Sequence, residues 1–374
     1  MRIYAKQMLT PRGILKHHIV EIKDSMIHDI FPDSGLHSYD LQADILTPGL
    51  IDLHVHGGQG FNARDFDLDQ ISPFLDAMLA DGVTDFLMTI STGFKDTMCH
   101  GLEVTRQAMQ LQHEGKLGGA RILGAHLEGP FLSASRPGAM QTDAIIPPDI
   151  DAYEGMFDGY EDTIRLISLA PEVPGADLLI QHLCKKGIAV QAGHTNATYE
   201  EAMRAFSGGI SSLCHTFNAC RPIHHRDPGV ITAALVNPDV YCEAICDLEH
   251  LHGGTLKLIY GMKGPDRMVL VSDSVATHGM PDGEYFMEGY HIVVKDGVSH
   301  TAEGALDGGG VYLGGALRNV ISLGIPVRNA VSMATSTPAA RMGFADIGAI
   351  EVGKRAHLTA WNDSWKTEFS IVSY

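Results

Sequence analysis

Eight short apolar segments recur through the middle of this chain, each followed by a stretch of helical texture. They run Leu50 to His56, Thr84 to Ile90, Arg121 to Leu127, Arg165 to Leu169, Ile188 to Ala192, Ser212 to Phe217, Val240 to Ile245 and Met268 to Val271. Strands that alternate with helices pair in parallel, because each helix carries the chain back over the sheet before the next strand begins. Eight such units favour an α/β fold closed into a (β/α)8 TIM-type barrel over an open, doubly wound sheet. No G-x-G-x-x-G follows the first segment and no G-x-x-x-x-G-K-[ST] occurs anywhere, which argues against a nucleotide enzyme. The barrel is expected over 48–345 of the 374 residues. Residues 1–47 and 346–374 carry short alternating apolar and polar runs instead, such as His18-Ile19-Val20-Glu21-Ile22 and Ile350-Glu351-Val352. Neither end is long enough to enclose a core alone, so the two are expected to pair into one small β-sandwich domain.

The formal net charge is −18, which argues against a nucleic-acid partner because that role needs a basic footprint. A small anionic substrate stays open, since a few arginines and histidines focused in a pocket hold a phosphate against an unfavourable overall field. Apolar runs break well before the roughly 18 residues of a membrane span. The N-terminal Met1-Arg2-Ile3-Tyr4-Ala5-Lys6 has no apolar signal core. The six cysteines form no C-x-x-C and no framework spacing. Reduced thiols in a cytoplasmic protein are the expectation.

The chemistry sits where the strands end. In an extended strand residues i and i+2 point the same way, so His54 and His56 face one centre. A lone His-x-His could equally be two hydrogen-bonded or solvated histidines. However, strand three ends in His126-Leu127-Glu128, strand five in Gly193-His194, strand six in His215 and strand eight in Ser272-Asp273. In a barrel all these ends meet at one mouth. Three histidine or carboxylate ligands with an open position make a catalytic metal site, and Glu128, His194 and His215 supply that minimum. His54 and His56 offer a second site, with Glu128 able to bridge through its two oxygens. Asp273 is left as the base that takes a proton from water and returns one to a leaving amine; a purely structural ligand or a helix N-cap is the plainer alternative for it.

This ordered set resembles the amidohydrolase superfamily and, within it, the N-acetylglucosamine-6-phosphate deacetylases. The likeness runs over nearly the whole chain: Pro-Gly-Leu-Ile-Asp-Leu-His-Val-His-Gly-Gly at 48–58, His-Leu-Glu-Gly-Pro-Phe at 126–131, Leu-Ala-Pro-Glu at 169–172, Gly-His-Thr-Asn-Ala at 193–197, His-Thr-Phe-Asn-Ala at 215–219, His-His-Arg-Asp-Pro-Gly at 224–229 and Asp-Ser at 273–274. The resemblance implies that Glu128, His194 and His215 are the main metal ligands and that Asp273 is the catalytic aspartate. With both His54 and His56 present, it further implies the two-metal type, zinc being the expected divalent ion at one or two per subunit. It places the sugar phosphate on Asn218, Ala219 and His250, and on Arg226 reaching in from a neighbouring subunit, which implies a homodimer or a larger homo-oligomer.

Two segments depart from the family pattern. Where the family carries Lys-Gly-Ala-His, whose histidine contacts substrate near the acetamido group, this chain has Arg136-Pro137-Gly138-Ala139-Met140. A thioether cannot donate that hydrogen bond. Where the family has Leu-Ala-Gly-Ser, this chain has Leu306-Asp307-Gly308-Gly309. Met140 and Leu306 are accordingly counted among the substrate contacts. The expected reaction is hydrolysis of the acetamido group of N-acetylglucosamine-6-phosphate to glucosamine-6-phosphate and acetate. The alternatives are the galacto epimer and, because of these two departures, another amide altogether.

Overall fold

A computed structural model describes residues 1–302 and 304–374. Eight parallel strands form the central sheet: Leu50–Val55, Val83–Ser91, Arg121–Glu128, Ile164–Leu169, Ala189–Ala192, Ser212–Leu213, Tyr241–Ile245 and Met268–Val271. They are hydrogen-bonded in sequence order from the first to the eighth. Backbone bonds from Asp273 N to His54 O (2.9 Å) and from His56 N to Ser274 O (2.8 Å) join the last strand to the first. A helix follows each strand, beginning with Ser72–Ala80 and Lys95–His113 and ending with Leu313–Ser322. The strands are apolar along nearly their whole length because helices cover them outside and side chains fill them inside. All nine residues of Val83–Ser91, for example, are buried.

Strand six is shorter than the sequence suggests. Its pairing stops at Leu213, and the expected continuation through Phe217 is a tight turn closed by Asn218 N donating to His215 O at 2.9 Å. The β-favouring Thr-Phe pair is overridden there. Thr216 N is drawn across to Glu243 O on strand seven (2.8 Å), and Phe217 takes a left-handed φ of 84°.

The chain ends meet in one six-stranded sheet. Arg2–Thr10 lies between Gly13–Lys23 and Leu41–Pro48, and the C-terminal strands Leu358–Trp361 and Thr367–Ile371 add on beyond Leu41–Pro48. The sheet has a core of its own around Ile3, Met8, Val20, Leu46 and Leu358. Each such apolar side chain taken fully out of water contributes about 1.5–3 kcal/mol.

One element has no counterpart in the sequence reading. Between strand eight and its helix, Gly283–Met287, Tyr290–Lys295 and Val298–Thr301 form a separate antiparallel sheet. Its two turns, at Glu288-Gly289 and Asp296-Gly297, have positive φ at both positions (55° and 88°, 54° and 76°). That is the twist a two-residue hairpin needs, and an Asp-Gly between alternating residues is the sequence signal for it.

Candidate active site

The strand ends converge as a barrel requires. Glu128, His194, His215, His56 and Asp273 line one cavity of about 240 Å³ at the mouth, together with Asn218, Ala219, His250, Met140 and Leu306. His54 lies directly beneath, fully buried. Arg226 stands apart. It is exposed on the loop after strand six and donates to the neighbouring His225 ring at 2.7 Å, so within one chain it does not reach the cavity.

Glu128 divides the cluster in two. Its Oε1 lies 3.0 Å from His194 Nε2 and 2.9 Å from His215 Nε2, while its Oε2 lies 3.2 Å from His56 Nε2 and 3.5 Å from His54 Nε2. Asp273 Oδ1 completes the second group at 3.1 Å from His54 Nε2 and 3.2 Å from His56 Nε2. The two groups are thus Glu128, His194, His215 and His54, His56, Asp273, each with ligand atoms close enough to share one ion.

The protonation pattern says what these atoms want. His194 Nδ1 faces the carbonyl oxygens of Pro137 (3.0 Å) and Arg136 (3.2 Å), so it carries the proton and leaves Nε2 as a lone pair. That lone pair points at a carboxylate oxygen and at His215 Nε2, 3.1 Å away. His54 Nδ1 likewise faces Glu243 Oε2 at 3.4 Å, the carboxylate–histidine arrangement that orients a metal ligand. Glu128 Oε2 is buried with no hydrogen-bond partner among the described residues. Imidazole and carboxylate ligand atoms that converge this closely, with one carboxylate oxygen left unpartnered, suit a divalent metal.

Electrostatics agrees. Burial alone would push the imidazole of His56 down, but Asp273 and Glu128 together hold it up at about 10. His54 and His215 are also raised well above the ordinary histidine value against the same burial cost, by Asp273, Cys214 and Glu128 for the first and by Cys214 and Glu128 for the second. Burial likewise disfavours ionised Glu128 and Asp273, yet the histidines keep both below the usual carboxylate range. The anionic field that traps protons on these rings is the field that holds a metal cation.

The backbone is bent to aim these groups. His194 (φ 45°), Asp273 (φ 51°) and Ala219 (φ 46°) occupy the left-handed region without being glycine, a cost of about 1–3 kcal/mol each that clusters at functional sites. After His56 the chain must pass close to its neighbours. A Cβ on Gly57 would lie 1.9 Å from Phe61 O, and one on Gly58 would lie 2.0 Å from the Tyr312 hydroxyl.

The amidohydrolase family model matches residues 45–373. The chain belongs to the amidohydrolase family. Among its curated amidohydrolase relatives, the N-acetylglucosamine-6-phosphate deacetylase of Vibrio furnissii is 34% identical over 90% of this chain and 86% of its own length. The N-acetylgalactosamine-6-phosphate deacetylase of Escherichia coli O157:H7 is 32% identical over 95% of this chain and 93% of its own. The N-acetylglucosamine-6-phosphate deacetylase of Pasteurella multocida superposes with a TM-score of 0.91 at 28% identity, covering 100% of this chain and 98% of that one. A variant of the Mycobacterium smegmatis enzyme in complex with N-acetyl-D-glucosamine-6-phosphate matches equally well in shape, with a TM-score of 0.91 at 28% identity over 100% of this chain and 97% of that one.

This amidohydrolase site also uses residues that the sequence reading passed over. Glu243 hides in the apolar run of strand seven; its other oxygen accepts from Arg341, which rises into the barrel floor from the helix Ser336–Met342 and also donates to Gln191. A charge inside an otherwise apolar strand was the available signal. Asp247 Oδ2 accepts from His250 Nδ1 at 2.7 Å and fixes that ring at the cavity wall. Burial pushes the Asp247 carboxyl up, but His250 and nearby backbone amides hold it below its usual range.

Proposed function

We propose that this amidohydrolase removes the acetyl group of N-acetylglucosamine-6-phosphate, giving glucosamine-6-phosphate and acetate. The observation that carries the reading is Glu128, whose two oxygens each face a pair of imidazole Nε2 atoms, with Asp273 beside one pair at the open mouth. In this reading Glu128, His194 and His215 would hold one divalent ion and His54, His56 and Asp273 a second; zinc suits such nitrogen and oxygen donors. Bound there, a divalent metal would supply Lewis-acid polarisation of the amide carbonyl and of the attacking water. Asp273 takes the proton of that water and delivers it to the amine as the carbon–nitrogen bond breaks. Its strained backbone fixes the carboxylate against this task rather than leaving it to find a partner elsewhere.

The phosphate is assigned to Asn218, the Ala219 backbone and His250 at the outer wall of the cavity. Arg226 completes the set from a second copy of the chain, which is why an exposed guanidinium on a mouth loop argues for a homodimer; its planar fork suits phosphate oxygens. We take 48–345 as the catalytic unit and 1–47 with 346–374 as its supporting domain. Among the described residues no helix is long and apolar enough to cross a membrane, and all six cysteines are free, four of them buried. Free thiols favour a reducing, cytoplasmic setting.

The galacto epimer is the second reading, favoured by the Escherichia coli relative of nearly equal identity. Acetate release from the two 6-phosphates side by side, with the unphosphorylated sugars as controls, separates them. Turnover of the gluco ester above the galacto ester, with the free sugars at least tenfold slower, is the expected outcome. Faster galacto turnover moves the assignment to the epimer, and no acetate from either despite bound metal refutes the reaction.

A further inference from the structure

A small side pocket adjoins the main cavity beside His56. It has about 30 Å³ of free volume, room for one water-sized group and no more. His56, Ala139, Met140 and Asp307 belong to both spaces, whereas Asn218, Ala219 and His250 line only the outer cavity. The pocket therefore adjoins the cavity at His56 and Met140 and shares no residue with the wall assigned to the phosphate. A substrate whose amide carbon sits at the cluster and whose sugar lies toward Asn218 directs the far end of its acyl group here.

Arg64, Glu288 and Asp307 bring charge into this pocket, which a methyl group does not need. Ser91 and Arg64 hold Glu288, with the Arg64 guanidinium also bonded to Thr92 O at 2.8 Å and Gln141 Oε1 at 3.1 Å. Asp307 is held differently. Tyr290, on the inserted sheet, donates to its Oδ1 at 2.6 Å, while Oδ2 is buried with no hydrogen-bond partner among the described residues. One oxygen is thus anchored and the other is an acceptor without a donor, which is a costly arrangement unless something supplies one. Met140 beside it offers only a weak acceptor.

We propose that Asp307 reads the acyl group, and that the preferred substrate carries a hydroxyl on the carbon next to the amide carbonyl: an N-hydroxyacetyl amino sugar phosphate. This rests on the deacylase reading above and narrows its substrate. The hydroxyl donates to Asp307 Oδ2 and fills the side pocket. Hydrolysis is otherwise unchanged: water adds its oxygen to the acyl carbon, the carbon–nitrogen bond breaks, the amine takes the proton, and hydroxyacetate leaves in place of acetate. A site built to bond a substrate hydroxyl discriminates strongly against the analogue that lacks it, because its own buried group is then left unpaired.

The test measures kcat/KM for N-hydroxyacetyl- and N-acetylglucosamine-6-phosphate on the zinc-loaded protein, as a ratio within each preparation so that folded fraction cancels. The wild type is expected to favour the hydroxyacetyl ester at least tenfold. Asp307→Ala should bring the ratio to one or below, and Asp307→Asn, which keeps an acceptor, should restore most of it. A wild-type ratio of one or less, as expected if the pocket merely holds water, overturns the proposal, and so does a preference that survives Asp307→Ala. Release of acetate without hydroxyacetate preference sinks this inference but spares the deacylase reading, whereas release of neither acid refutes both.

Discussion

At the mouth of the barrel His54, His56, His194 and His215 surround Glu128 and Asp273; at its base His357 and Arg121 surround Asp85. Both are buried histidine–carboxylate groups, and their carboxylate oxygens are satisfied to different degrees. Asp85 faces donors throughout. Arg121 Nε donates to Oδ1 at 2.7 Å, Thr84 Oγ1 donates to Oδ2 at 2.7 Å, and His357 Nδ1 lies 2.8 Å from Oδ2. His357 Nε2 in turn accepts from Ser373 N at 3.2 Å, which ties the C-terminal strands to the barrel. At the mouth, by contrast, four imidazoles crowd two carboxylates, His215 Nε2 lies 3.1 Å from His194 Nε2, and Glu128 Oε2 makes no hydrogen bond among the described residues. The base group is complete without help and serves stability. The mouth group leaves a buried carboxylate oxygen unpartnered, and it is the group we assign to holding a cation and to the chemistry.

The largest expected effect breaks the mouth alone. Asp273→Asn should lower kcat for acetate release by about 10³-fold, within the range of a lost general acid–base, while the melting temperature stays close to wild type. Near-normal kcat would remove Asp273 as the base. Asp85→Asn should do the reverse. It takes one partner from a buried ion pair and should cost about 3 kcal/mol in denaturant unfolding, with kcat per folded molecule unchanged. A stability loss below about 1 kcal/mol would show that the base group is not the clamp described.

The same carboxylate gives a pH test. Burial opposes ionised Asp85, but His357 and Arg121 override it and lower its pKa from 3.8 to about 2. A depressed folded-state value means that the contribution is fully present above pH 4 and is lost as pH falls through 2. The stability gap between wild type and Asp85→Asn should therefore narrow over that window, by roughly 2 kcal/mol. A gap independent of pH between 4 and 2 would contradict the assignment.

The smallest effect is expected where charges pair at the surface. Lys186 lies 2.9 Å from Glu154 and 3.2 Å from Glu161, all three partly solvated. Lys186→Met should change unfolding free energy by less than about 1 kcal/mol. A larger loss would mean that charge pairing itself, rather than burial and donor matching, sets the contrast between mouth and base.

Much of this was legible in the sequence because burial writes itself as apolar runs. Segments such as Met268–Val271 and Leu50–Val55 are strands because both their faces are covered, and the polar residues ending them stand out against that background. The placement of His54, His56, Glu128, His194, His215 and Asp273 followed from strand-end register. What escaped needed three dimensions. Strand six ran two residues rather than six because a carbonyl on strand seven captured Thr216, a contact no local propensity encodes. Glu243 read as core because its neighbours are core. The inserted sheet was readable from Asp296-Gly297 and from the alternation that buries Ile292 and Val294, but it falls outside the strand–helix period, and with it Tyr290 and the anchoring of Asp307 went unseen.

The claim that the mouth is built for a cation is tested most directly by counting metal. Protein stripped with a chelator, dialysed against zinc and analysed by mass spectrometry of the element should hold two zinc ions per chain, and Glu128→Ala, which removes the bridge between the two groups, should hold none at the same free zinc. Wild-type protein that retains no zinc, or a Glu128→Ala protein that retains both ions, would contradict the account.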